Sequence, residues 1–189
     1  DIAILNNLEF DHADIFDNLE AIQRQFHHLI RTIPNKGCVL LPDEPALKAV
    51  LDQGVWSRVE WLSGEQSQWQ LRLISEDASQ FEISATGERR AQSGVVEWSL
   101  CGEHNARNAL AAVAAAAQVG VDVGVATRAL SEFVSVKRRL QLLVESQGIS
   151  LYDDFAHHPT AIAMTLDAVS RKHPGQRILA VVEPRSNTM

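Results

Sequence analysis

"DIAILNNLEFDHADIF", residues 1–16, begins with an apolar run, Ile2 to Leu5, that ends in Asn6, Asn7 and Glu9. A run with no polar interruption marks a strand buried on both faces, as in a parallel sheet. Its polar C-terminal end points to the side where open α/β sheets hold their ligands. From Asn18 to about Ile33, apolar residues recur at Leu19, Ile22, Phe26, Leu29, Ile30 and Ile33, close to a helical period. "KGCVLLP" (36–42) then reads as a strand, "DEPALKAVLDQG" (43–54) as a helix closed by Gly54, and "RVEWLS" (58–63) as another strand. This β-α-β-α-β alternation predicts an α/β fold: a parallel sheet with helices on its faces.

Beyond residue 68 the pattern changes. "WQLRLISE" (69–76), "QFEISATG" (80–87) and "VVEWSLCG" (95–102) alternate with period two between polar turns, which predicts antiparallel strands. An alanine-rich helix follows in "EHNARNALAAVAAAAQVG" (103–120), ended by Gly120, and a second covers roughly Asp122 to Phe133. The basic connector "VSVKRRLQ" (134–141) places a domain boundary near Val134 to Val136, dividing the chain into 1–135 and 136–189. After it, "LQLLVES", "ISLYDD", a helix from Pro159 to about Lys172 and "QRILAVVEP" predict strand and helix in alternation again, the beginning of a second α/β domain. The chain opens on Asp1 and a strand, and stops just after another. The expectation is an internal segment of a longer protein.

The bulk composition sets limits. With 189 residues, 46% hydrophobic and 22% charged, the chain has the make-up of a soluble globular protein. It has no apolar run of the ~20 residues that cross a bilayer, so no membrane association is expected. The net charge of -7 argues against general nucleic-acid binding, which needs a basic face. Cys38 and Cys101 form no CxxC pair. They fit structural thiols in a reducing compartment better than a disulfide.

Four polar clusters fall at element ends. "NNLEFDHAD" gathers Glu9, Asp11, His12 and Asp14 behind a strand. It could hold a divalent cation, although spacing alone favours a solvated loop. "GEHNARNAL" sets His104, Asn105 and Asn108 on neighbouring positions of a helix start. An asparagine amide matches the donor–acceptor edge of adenine, and a helix cap explains the same residues equally well. "VKRRLQ" offers Lys137, Arg138 and Arg139 to a phosphate or ribose, though a solvated charge run is the commoner explanation. "YDDFAHHPTAI" (152–162) puts Asp153 and Asp154 at a strand end and His157 and His158 before Pro159. Proline suits a first helical position, which makes His158 the N-cap, and the helix N-terminus favours an anion. Two adjacent acids beside such a site tip the reading from a capped turn towards phosphate and proton chemistry. No GxGxxG or GxxxxGK[ST] phosphate loop occurs in the chain.

In this order the four clusters resemble the motifs of the ATP-dependent Mur ligases. "NNLEFDHADIF" is similar to the family's DH motif and "GEHNARNALAAVAAA" to its G-x-H-N-x-x-N helix. "VKRRLQ" resembles the arginine-bearing hinge, and "YDDFAHHPTAI" the H-H-P-T turn of the muramate-attaching members. The resemblance spans nearly the whole chain. It implies the later part of a central ATPase domain in residues 1–135, a parallel sheet plus antiparallel strands with helices on the faces. The start of a Rossmann-like C-terminal domain would follow in 136–189. It further implies a cytoplasmic enzyme using ATP and Mg²⁺, which joins an amine to UDP-N-acetylmuramate through an acyl phosphate.

"VVEPRSNTM" (181–189) resembles the branch whose amine is the murein tripeptide L-alanyl-γ-D-glutamyl-meso-diaminopimelate. Addition of free L-alanine, or a nucleotide-binding segment without catalysis, are the alternatives. By resemblance, His12 is a Mg²⁺ ligand, Asn108 reads adenine with His104 and Asn105, and Arg139 contacts the nucleotide. Asp154 binds ribose, His157 lies at the transferred phosphate, and Arg185, Ser186 and Asn187 bind the incoming peptide. Many relatives carry a carbamylated lysine where this chain has Phe26 and His27, so that feature is absent.

Overall fold

A computed structural model describes residues 1–86 and 92–183. The three expected parallel strands are β1 (Ile2–Ile4), β2 (Cys38–Leu41) and β3 (Arg58–Trp61), in that order across one sheet. Ala3 is in register with Val39, and Val39 with Val59. All four residues of the central strand β2 are buried. Side chains alternate across a strand, so β2 serves two cores at once. Val39 and Leu41 face one cluster with Ile22, Ile30, Leu47 and Val50, supplied by α1 (Leu19–Ile30) and α2 (Pro45–Leu51). Cys38 and Leu40 face the other, built on α3 (Glu103–Gln118) and the second sheet.

Helix α1 begins where its sequence provides a cap. The Asn18 side chain accepts from the Ala21 amide at 2.9 Å, which satisfies one of the helix's free N–H groups. The second sheet is antiparallel, β4 (Trp69–Leu73), β5 (Gln80–Ala85) and β6 (Gln92–Glu97). In β5 Phe81, Ile83 and Ala85 point inward and are buried, while Gln80, Glu82 and Ser84 are partly exposed. Strand β6 starts earlier than "VVEWSLCG" predicts, because Gln92 to Gly94 pair with Ala85 to Ile83. Both cysteines are buried free thiols, as expected.

Helix α3 occupies the space between the two sheets, and its alanines explain how it fits. Ala106, Ala109, Ala111 and Ala114 are buried against both, where larger side chains would hold the layers apart. At its far end Glu60, 4% exposed, joins three elements. Its carboxylate accepts from Trp69 Nε1 at 2.6 Å, Gln118 Nε2 at 3.0 Å and Arg58 Nη1 at 3.2 Å. A buried carboxylate is tolerable only when its lone pairs are met in this way. Helix α4 (Val123–Ser131) covers the inner face of the antiparallel sheet, with Thr127 laid directly over Gly94 of β6.

The C-terminal part forms both expected strands and the helix, but not the last strand. β7 (Gln141–Ser146) and β8 (Ile149–Asp153) pair with each other, antiparallel, with a register shift between Leu142 and Val144. The connection is the two-residue turn Gln147–Gly148, both at positive φ, the geometry that matches strand twist in a tight hairpin. Helix α5 (Pro159–Lys172) follows, with His158 as its N-cap and Pro159 in the first turn, as predicted. The strand expected in "QRILAVVEP" is not formed over residues 177–183. A strand needs a hydrogen-bonding neighbour, and the two-stranded β7–β8 sheet does not take this run in; Leu179 and Val181 stay largely exposed. Among the described residues no helix is long and apolar enough to cross a membrane.

A side chain at Gly94 would collide with the buried Thr127 on α4. Gly94→Val is expected to cost about 1–3 kcal/mol by overpacking, measured as a lower urea midpoint at unchanged slope. The same change combined with Thr127→Ala should recover part of the loss.

Candidate active site

The polar ends of β1, α3 and β8 meet on one side of the molecule. After β1 the chain continues as Leu5, whose amide donates to Leu40 O at 2.9 Å, and both Leu5 and Leu8 are buried among the α1 side chains. These two anchors hold the intervening Asn6 and Asn7, and the following Glu9, out in solvent. Asn6 Nδ2 donates to Asn108 Oδ1 at 3.0 Å, tying the strand end to α3. One lone pair of that oxygen and the Asn108 amide protons stay available to a ligand. Asn105 has a different local job: its Nδ2 donates to the Cys101 carbonyl at 2.8 Å, steadying the first turn of α3. The N-cap itself is Gly102 at φ 94, so neither His104 nor Asn105 caps the helix.

Gly102 also lies against α5. A Cβ there would meet the His104 ring and Ala168 of α5, and Ala168 is fully buried. His104 sits between the two parts of the chain, sensed by Asp154 and Arg139. Burial holds its pKa below the usual histidine value, against the pull of Asp154 and with the push of Arg139. The imidazole is therefore neutral near pH 7, with one donor and one acceptor nitrogen. Arg139 is exposed and forms no ion pair among the described residues. Its neighbour Arg138, also exposed, reaches Asp153 at 3.4 Å and lies over the Phe155 ring at 5.2 Å.

Asp154 is more occupied than its sequence position implies. Its carboxylate accepts from the Leu140 amide at 2.6 Å, the Ala156 amide at 2.7 Å and the Thr165 hydroxyl at 3.4 Å. Arg138 and Leu140 both have positive φ, 60 and 45, a conformation that side chains other than glycine's make unfavourable. The carboxylate thus holds the connector in a strained form. A carboxylate has about four acceptor directions, so one remains for a further donor. His157 donates from Nδ1 to the Phe155 carbonyl at 3.1 Å, because a carbonyl only accepts. That fixes the tautomer and leaves Nε2 as the free acceptor.

His12, at φ 56, stands on the loop after β1 and is largely exposed, 3.9 Å from Asp11. No group of three potential metal ligands occurs among the described residues. The loop can supply only part of a coordination shell, which is what Mg²⁺ takes when substrate phosphates and water complete it. Arg185, Ser186 and Asn187 lie outside the described residues. The loop after β1 and the start of α5 line a common cleft of about 280 Å³, walled by Leu8, Glu9, Phe26, His158, Thr160 and Met164. Phe26 is part of its wall, while His27 is used structurally, donating to the Gly54 carbonyl at 3.1 Å. Sequence reasoning flagged Glu9 within its cluster but missed its contact with Thr160, 151 positions away.

The depressed pKa of His104 makes stability depend on pH. The unfolded histidine takes up its proton near pH ~6.5, before the folded one does, so falling pH favours unfolding. Stability should decline as pH drops below about 6.5, and His104→Gln should flatten that decline in urea titrations at pH 7.5 and 5.5.

Two family models match the chain: "Mur ligase middle domain" over residues 1–116 and "Mur ligase, glutamate ligase domain" over 138–189. An Escherichia coli UDP-N-acetylmuramate–L-alanyl-γ-D-glutamyl-meso-2,6-diaminoheptandioate ligase is 53% identical over 98% of the chain. A UDP-N-acetylmuramate–L-alanine ligase of Salinibacter ruber is 32% identical over 97%. The crystal structure of a murein peptide ligase from Psychrobacter arcticus superimposes with a TM-score of 0.71 at 45% identity, covering all of this chain and 38% of that one. The chain spans 40% of the length of the Escherichia coli relative. With one family model covering residues 1–116 and the site motifs in its order, the chain belongs to the Mur ligase family.

Proposed function

We propose that the chain is the closing part of the active site in an ATP-dependent ligase of peptidoglycan recycling. The enzyme would join L-alanyl-γ-D-glutamyl-meso-diaminopimelate to UDP-N-acetylmuramate. The observation that carries this reading is the convergence of the loop after β1 and the His158–Thr160 turn on one cleft. The choice of amine is supported by the greater identity to the tripeptide-joining relative than to the alanine-joining one, 53% against 32%. We place the boundary between the two functional units at residues 135 and 136, within the connector that Asp154 holds. Nucleotide-linked substrates and buried free thiols fit a cytoplasmic enzyme.

The chemistry follows from the weakness of a carboxylate as an acyl donor. In the proposed reaction the lactoyl carboxylate takes the terminal phosphoryl group of ATP, releasing ADP. The amine of the tripeptide's alanine then attacks the carbonyl carbon, and the tetrahedral adduct expels phosphate and loses a proton to leave the amide. The protein's part is positioning and charge stabilisation. Asn108, backed by Asn6, would present its amide to the adenine edge, with His104 and Asn105 completing that wall. Asp154 would use its remaining lone pair on a ribose hydroxyl. Arg139 would contact the nucleotide, and His157 would lie at the transferred phosphate. Bound at His12, Mg²⁺ would supply neutralisation of phosphate charge. Arg185, Ser186 and Asn187 are proposed for the incoming peptide.

In the complete enzyme, Asn108→Ala is expected to weaken ATP binding by about 1–3 kcal/mol, read by calorimetry. Unchanged affinity would remove adenine recognition from this residue. Phosphate release should be much faster with the tripeptide than with free L-alanine; the reverse order would assign the enzyme to alanine addition. The 189 residues alone, having no phosphate loop, should show no ATP-dependent ligation.

A further inference from the structure

Three contacts tie helix α5 to the first part of the chain. At its C-terminal end Lys172 Nζ donates to the Ser99 carbonyl at 3.2 Å, and in its middle Ala168 is buried against Gly102 and His104. At its N-terminal end the Thr160 hydroxyl donates to Glu9 Oε2 at 2.6 Å. None of the residues in the first two contacts lines the cleft. The third is within the cleft, between the loop that carries His12 and the turn that carries His157.

Both partners are locally fixed. Glu9 follows the buried anchor Leu8, so the strand end sets where its carboxylate stands. Thr160 follows Pro159 in the first turn of α5, where φ is preset by the ring. His158 is 3.7 Å from the same carboxylate oxygen, but its Nδ1 accepts from the Thr160 amide at 3.4 Å. Nδ1 accordingly holds no proton for Glu9, and the Thr160 hydroxyl is the donor Glu9 uses. A hydroxyl-to-carboxylate bond is charge-assisted and short, stronger than a neutral pair. Leu8, Phe26 and Met164 line the same cleft.

We propose that Glu9 is a positioning residue, the latch that sets the His157–Thr160 turn against the His12 loop in the closed site. It acts through Thr160 rather than on substrate. The inference rests on the ligase reading above, because only a reaction shared between the two loops makes their spacing matter.

Two measurements test it. In the 189-residue chain, hydrogen exchange of the Ile162 amide, the first bonded within α5 to His158 O, reports the latch directly. Glu9→Gln and Thr160→Val should each speed that exchange by roughly threefold to tenfold, the worth of one net hydrogen bond, and Thr160→Ser should not. In the complete enzyme both variants should lower kcat by about tenfold with KM for ATP within about twofold, because the loss falls on positioning and not on nucleotide binding. The double variant should be no slower than either single one, and Thr160→Ser should restore the rate. Unchanged exchange, multiplying losses, or a loss in Glu9→Gln without one in Thr160→Val would overturn the latch; the last pattern would make Glu9 a direct substrate contact. Should the unaltered complete enzyme lack ligase activity, the functional reading fails, and the exchange experiment alone decides whether the contact holds the turn.

Discussion

The double-sided burial of β2 is the constraint on which the rest depends. Four residues, Cys38 to Leu41, have no access to solvent on either face, so each neighbour must provide an apolar surface of matching shape. Helices α1 and α2 do this on one side with branched side chains, and α3 does it on the other with alanines. The second requirement brings the antiparallel sheet close enough for Trp69 to reach Glu60 on β3. It also fixes the start of α3 beside the end of β1, where Asn6 and Asn108 meet. The polar residues of the site are thus set by apolar packing some distance away. They stand at the ends of elements whose middles cannot move without opening a void.

The connector and α5 add a different kind of restraint. Their contacts with the first part are few and polar, apart from Ala168. Charged and hydroxyl groups at partly exposed positions contribute modestly to stability, yet they define geometry closely. Asp154 shows the distinction. It accepts the amide of Leu140, which like Arg138 is at positive φ, a sparsely populated conformation for such residues.

Much of the fold was legible because local rules and tertiary demands agree in it. The apolar run of β2, the helical period after Asn18 and the alternation in β5 each give the same answer from sequence and from packing. The His158 cap and the Pro159 start were legible because capping is a local event, decided within four residues. Errors came where the answer lies elsewhere in the chain. "LQLLVES" and "ISLYDD" read as strands and are strands, but their antiparallel pairing through the Gln147–Gly148 turn is not written in either segment. The run 177–183 has the apolar character of a strand, and character alone does not provide a hydrogen-bonding neighbour.

The sequence by itself determined the class of fold, the family, and which residue types gather at the element ends. Those depend on periodicity, caps and ordered motifs, all of which are local in the chain. Only the tertiary structure decided that Asn6 supports Asn108, that Asp154 holds the connector, and that Glu9 meets Thr160. Each of these pairs lies between 14 and 151 positions apart. Hydrogen bonds act over about 3 Å, and no pattern in one segment specifies which distant segment will come that near. That choice belongs to the two cores on either side of β2.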